Sequence, residues 1–169
     1  MKALKVTGRA WCIIDGAGKV IDNIDTDMIF HNQHLTITNL AEMGQFTFGN
    51  LKGWEDFAQN SEPGDIVLTG LNFGAGSSRQ QAVDCFISLG VQAVLAKSFG
   101  AIYERNAINA GFPVLVYESL DGLKIQNRDV VQIDLLKGEL VNRTNGESIS
   151  INGFSDVQLS IYKKGGLLK

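Results

Sequence analysis

The hydrophobic pattern changes period along the chain, and each change predicts an element. Ala3 to Ile14 reads as an opening strand, broken at Asp15-Gly16-Ala17-Gly18, where glycines allow the positive φ of a tight turn. Val20 to Asn23 is expected to return as a second strand. From His31 to Asn60 no period is sustained, which predicts a flexible, loop-rich insertion; within it Asn39 and Glu42 are spaced as a helix N-cap and its N3 carboxylate. Pro63-Gly64-Asp65 marks a turn, Ile66-Val67-Leu68 a buried strand, and Gly70 to Gly76 a glycine-rich loop.

From Ser78 the period becomes helical, with Ala82, Val83, Phe86 and Ile87 on one stripe that Gly90 ends. A strand over Val91 to Ala96, a helix over Ala101 to Ala110 closed by Gly111, and a strand over Val114 to Val116 complete a parallel α/β unit. After Asp121-Gly122, short strands at Val130 to Leu135, Leu140 to Asn142 and Ser148 to Ile151, separated by Lys137-Gly138 and Asn145-Gly146, predict a β-meander. Ser155 with Gln158 has capping-box spacing for a last helix ending near Lys164. The fold class is therefore α/β, an α/β unit joined to a mostly β layer. A length of 169 residues fits a single domain, 1–169.

A formal net charge of -3 argues against a nucleic-acid partner, which calls for a basic face. No apolar run approaches the ~20 residues of a membrane span, and the N-terminus has no signal-peptide core, so a cytoplasmic protein with no membrane partner is expected. Cys12 and Cys85 stand far apart without metal-ligand spacing, so both are expected to be buried free thiols, with no metal bound by this chain. Two cysteines also fall short of the set that holds an iron–sulfur cluster.

The loop Gly70-Leu71-Asn72-Phe73-Gly74-Ala75-Gly76-Ser77-Ser78-Arg79 lies between a strand and a helix, where free N–H groups and the helix dipole favour an anion. It lacks the Lys-Ser/Thr of a P-loop and the third glycine of a dinucleotide fingerprint. Two hydroxyls followed by an arginine suit a carboxylate. The same serines, each with a glutamine three residues on (Gln80, Gln81), also fit simple helix capping, and Arg79 also fits a surface cation.

Three blocks carry a family resemblance. Asn72 to Arg79 (NFGAGSSR) closely resembles the signature of the small subunits of isopropylmalate isomerase and homoaconitase, equivalent to the fourth, swivelling domain of aconitase. Asn23 to Ile29 (NIDTDMI) and Ser98 to Gly111 (SFGAIYERNAINAG) resemble two further segments of that family, in the same order, over roughly Val6 to Tyr117. The resemblance implies a three-layer β/β/α swivelling domain and a large partner subunit that carries a [4Fe–4S] cluster. It implies a hydro-lyase that dehydrates a hydroxy-dicarboxylate and rehydrates the alkene at the neighbouring carbon. It makes Ser77 the base, and Ser78, Arg79, Gly76 and Asn72 substrate-binding, with Asp25 and Asp27 either orienting the site or forming turns and caps. Asn106 and Asn109 are read as packing and helix-end residues, and Arg105 as a structural or interface cation.

In the resembled family the loop after the D-T-D block reaches the substrate's variable group. Here it reads His31-Asn32-Gln33-His34-Leu35-Thr36-Ile37-Thr38, with His34, Leu35, Thr36 and Ile37 as the specificity positions. Homoaconitase-type members place an arginine where Thr36 stands, and burying a third carboxylate without a cation is costly. Isopropylmalate is the leading substrate expectation, with methylmalate, dimethylmaleate-like diacids and homoaconitate as alternatives. His31, Gln33, His34 and the Gln80-Gln81 pair depart from the family pattern. A reading of another class is a non-catalytic, carboxylate-binding regulatory module.

Overall fold

The computed structural model describes residues 2–169. Its strands form a sheet in the order β4-β3-β2-β1-β5-β6-β7. The first strand, β1 (Lys5–Cys12), divides its edges between two kinds of neighbour. Lys5 to Arg9 run antiparallel to β5 (Val130–Asp134), while Ala10 to Cys12 run parallel to β2 (Ile66–Leu68). Beyond β2 lie β3 (Ala93–Ala96) and β4 (Val114–Val116), both parallel; beyond β5 lie β6 (Glu139–Asn142) and β7 (Ser148–Ser150), both antiparallel.

Successive strand residues point to opposite faces, so the parallel strands feed two cores at once. Val67, Val94 and Val114 join one core; Ile66, Leu68, Leu95 and Leu115 join the other. Burial on both faces is why these strands read as unbroken apolar runs. On the first core lie α4 (Gln81–Leu89), through Ala82, Val83 and Phe86, and α5 (Ala101–Asn109), through Tyr103 and Ala107. The meander covers the second core through Val131, Ile133 and Leu140, helped by Tyr162 of α6 (Asp156–Lys164). Helices, parallel sheet and meander make the three layers that the sequence led us to expect.

Four expectations need correction. Val20 to Asn23 forms no strand: the Ile21 N–H to Ile13 and Asp15 N–H to Lys19 bonds make a single bridge between Val20 and Ile14, and the pairing ends as Asn23, at φ +58°, turns its N–H to the Leu71 carbonyl. The helix expected from Ser78 begins at Gln81. The insertion is irregular yet packed rather than loose: following α1 (Thr26–Ile29), it holds α2 (Leu40–Met43) and α3 (Phe57–Asn60), and it buries Phe48 and Phe57. Phe48 meets Phe57 at 5.1 Å and Phe86 of α4 at 5.4 Å, edge to face, which fixes the segment to the core. Asn39 does cap α2 by accepting from the Ala41 N–H. Ser155 caps α6, but Gln158 completes no box, since its amide donates to the Val114 carbonyl instead.

Candidate active site

The loop after β2 is strapped on both sides by the two other blocks singled out in the sequence. The Gly74 N–H donates to the Ile24 carbonyl and the Thr26 N–H to the Ala75 carbonyl; on the far side the Phe73 N–H donates to Ser98 O and the Gly100 N–H to Phe73 O. Blocks far apart in the chain therefore converge on one loop. Gly74 has φ +81°, and a Cβ there would fall inside the Tyr103 ring, so only glycine lets the loop sit this close to α5. Gly76 has φ +100° and no neighbour within 3.4 Å of a hypothetical Cβ, so its constraint lies in the backbone alone.

Among the described residues, the N–H groups of Ala75 through Gln81 donate to no protein acceptor. Ser77 and Ser78 are exposed beside them. Neither serine caps α4, whose N-cap position is Gln80 and carries no side-chain cap bond. The capping interpretation of this pair therefore fails, and the run of free donors is what remains.

Arg79 is no free surface cation either, its side chain being only 13% exposed. Its Nη1 donates to Asp27 Oδ1 at 3.0 Å and to the Phe30 carbonyl at 3.3 Å, while Nε and Nη2 make no bond to the described residues. Asp27 is held in turn by the Asn32 N–H at 3.0 Å on Oδ1 and by Asn50 Nδ2 at 3.1 Å on Oδ2. Partial burial works against the Asp27 carboxylate, but the Asn32 N–H and the Arg79 guanidinium prevail and hold it below its ordinary pKa. Asp25 acts differently, capping α1 by accepting from the Met28 N–H at 2.9 Å.

Asn72, exposed and with φ +57°, stands near the start of the loop. It braces the turn, donating from Nδ2 to Asn23 Oδ1 at 3.2 Å and from its N–H to Ser98 Oγ at 2.8 Å. Asn106, read from sequence as packing, instead donates from Nδ2 to Ser78 Oγ at 3.1 Å. Helical period gave no reason to look for this bond; the only signal was its place in the third block.

The positions expected to set specificity lie beside this loop. His34 stacks on Phe46 at 3.8 Å, and burial together with the neighbouring His31 lowers its pKa. His31 accepts the Gln33 N–H on Nδ1 at 3.0 Å. Leu35 is 37% exposed and its carbonyl accepts from Gln81 Nε2 at 3.2 Å. Thr36 is exposed, whereas Ile37 packs against the first core. Thus Arg79 and Gln81, at the start of α4, hold the backbone at Phe30, just before this segment, and at Leu35 within it.

A cleft of about 630 Å³, lined in part by Ile14, Lys97, Tyr117 and Leu120, lies elsewhere and includes none of Ser77, Ser78 or Arg79. The serine loop is an open surface, suited to chemistry only once something covers it. Cys12 and Cys85 are buried and free, and burial pushes both thiols up to about 12. No group of three metal-ligating side chains occurs among the described residues, and no helix there is long and apolar enough to cross a membrane.

Residues 55–119 match the family described as the aconitase C-terminal domain. The chain is 40% identical over 162 residues to 3-isopropylmalate dehydratase small subunit 1 of Archaeoglobus fulgidus, covering 96% of this chain and 94% of that one. It is 37% identical over 163 residues to the methanogen homoaconitase small subunit of Methanothermobacter thermautotrophicus, covering 96% and 88%. The crystal structure of 3-isopropylmalate dehydratase from Methanocaldococcus jannaschii superposes with a TM-score of 0.85 at 34% identity, covering 97% of this chain and 91% of that one.

Proposed function

This chain belongs to the 3-isopropylmalate dehydratase small-subunit family of the aconitase superfamily, and on that premise we propose that it supplies the base and the carboxylate clamp of a two-subunit hydro-lyase. The observation that carries the proposal is an exposed Ser77 set in a run of unpaired N–H groups, next to an arginine whose fork is half occupied. A serine hydroxyl is a poor base. Peptide dipoles, the start of α4 and the Arg79 charge all stabilise an alkoxide at Ser77, and so raise the fraction able to take a proton from carbon.

Removing a proton beside a carboxylate drives charge onto that carboxylate. Arg79 fits the role of its receptor, because Asp27 and the Phe30 carbonyl fix one nitrogen and leave Nε and Nη2 for the substrate. A fixed fork aimed at developing charge stabilises the transition state more than the ground state. Ser78 and the amides around Gly76 take the remaining anionic oxygen, and Asn72 keeps the start of the loop in shape. On rehydration Ser77 returns the proton at the neighbouring carbon. Asp27 orients the site through Arg79, whereas Asp25 contributes through the α1 cap.

A [4Fe–4S] cluster does not fit this chain: its two thiols are buried, and among the described residues no cluster of ligating side chains accompanies them. We assign the cluster to the large partner subunit, where its Lewis acidity would assist the departing hydroxide. In this reading the whole chain acts as one swivelling domain in the cytoplasm, in keeping with two free thiols.

Isopropylmalate is the substrate we favour. Leu35 and Ile37 offer apolar surface and Thr36 brings no charge, so a third carboxylate has no arginine to meet it in this segment. Methylmalate and dimethylmaleate-like diacids fit the same surface, because a methylene is worth only ~1–3 kcal/mol in such a pocket. The experiment is coexpression with the cluster-bearing partner, anaerobic reconstitution and assay against a panel of diacids. Isopropylmalate should be turned over best, and Ser77→Ala should lose turnover by orders of magnitude while leaving assembly intact. A chain that never associates with such a partner would act as the regulatory carboxylate binder instead.

A further inference from the structure

We propose that Asn106 is a positioning residue that makes Ser78 a one-way hydrogen-bond donor toward the anion bound at the loop. The inference rests on the reading of Ser77 as the base, and adds a division of labour between two adjacent, chemically identical side chains.

A hydroxyl has one proton and two lone pairs, so what it offers a ligand depends on what its other neighbours take. Ser78 Oγ accepts the amide proton of Asn106 at 3.1 Å, the one side-chain bond it makes among the described residues; Ser77 Oγ makes none. With a lone pair occupied from the α5 side, the Ser78 proton is directed to the open side of the loop. Accepting one bond also polarises the O–H and strengthens the bond it donates. Ser78 then serves the Ser77 alkoxide or a substrate carboxylate oxygen as a donor, and Ser77, free of protein partners, is left to take the proton.

The bond comes from a firmly seated element. On α5, Tyr103 and Asn106 stand three residues apart and share a face. The Tyr103 ring sits under Gly74, meeting Phe73 edge to face at 5.3 Å, and its hydroxyl donates to the Ala82 carbonyl of α4 at 2.9 Å. One helix face thus fixes the floor of the loop through Tyr103 and the polarity of its rim through Asn106. Packing alone does not require an amide at 106, whose side chain is only half-buried.

The test is a double-mutant cycle in the reconstituted two-subunit enzyme, with kcat and KM measured for Asn106→Ala, Ser78→Ala, the double variant and Ser77→Ala. Asn106→Ala should lower kcat/KM by roughly 3- to 10-fold, the scale of one neutral hydrogen bond, and Ser78→Ala by about 10- to 100-fold, since its own bond is to an anion. The double variant should be no worse than Ser78→Ala, since Asn106 acts only through that hydroxyl. Asn106→Asp keeps the shape and loses the donor, so it should lose at least as much as Asn106→Ala with an unchanged melting temperature. Additive losses in the cycle, or full activity in Asn106→Asp, would overturn the inference. So would a Ser78→Ala loss as deep as that of Ser77→Ala, which would make Ser78 the base. Near-normal activity in Ser77→Ala is a separate failure, that of the function proposed above.

Discussion

The serine loop and the meander are both turn-rich and polar, but they use their polar groups differently. The Asp and Asn side chains at the turns of the meander are engaged internally. Asp134 accepts from the Leu136 and Lys137 N–H groups; Asn142, fully buried, donates to Leu123 O and Asp129 and accepts from Thr144 N; Asn145 donates to Leu123 O and Lys124 O and accepts from Glu147 N. From Ala75 to Gln81 the backbone donors are left open. Water satisfies them while the surface is bare, but a covering partner would strip that water and leave an anion as the natural replacement. Satisfied turns hold the fold; unsatisfied ones mark where it meets a ligand.

The contrast can be broken most sharply at Ser77. Ser77→Ala should lower kcat of the reconstituted enzyme by roughly 10²–10⁴-fold, the range for a positioned proton-transfer group, with no change in melting temperature. Next in size is Arg79→Met, which removes a charged receptor; a loss of about 10- to 100-fold in kcat/KM follows from charged hydrogen bonds worth ~1.5–3 kcal/mol. Asn142→Ala reverses the pattern. It should cost about 1–3 kcal/mol of stability in urea unfolding, because it orphans buried groups, and leave kcat of the assembled enzyme unaltered. A kinetic loss there without a stability loss would erase the distinction between the two regions.

The smallest effect concerns pH. His34 has a folded pKa below its ordinary 6.5, so the unfolded chain binds its proton more readily and this contribution is lost as pH falls from about 6.5. Asp27 has a folded pKa below its ordinary 3.8; its contribution is present above that value and is lost as pH falls further. The urea midpoint should therefore decline in two stages on acidification. His34→Gln should flatten the first stage and leave the second, while a first stage unaltered in that variant would remove His34 as its cause.

The apolar run Ile66-Val67-Leu68, the stripe of α4 and the short strands of the meander were legible because pattern is a local property of the chain. The NFGAGSSR loop was legible as a candidate anion site for the same reason, its glycines and hydroxyls standing at a strand–helix junction, where they equally allowed helix capping. The start of α4 was misplaced because Ser77 and Ser78 have capping chemistry, and local sequence cannot tell that their amides stay outside the helix. The packing of the 31–60 insertion was hidden as well, since Phe48 and Phe57 have no shared period and are held by each other and by Phe86.

By itself, then, the sequence determined the layers, the loop and the chemical types gathered on it, since each depends on neighbours a few residues away. Tertiary structure alone decided which partners those groups take. Arg79 meets Asp27 and Phe30, Gln81 meets Leu35, and Ser78 meets Asn106 across separations of 28 to 52 residues. A hydrogen bond is specified by distance and direction in space, and the order of residues along a chain fixes neither until two cores have packed.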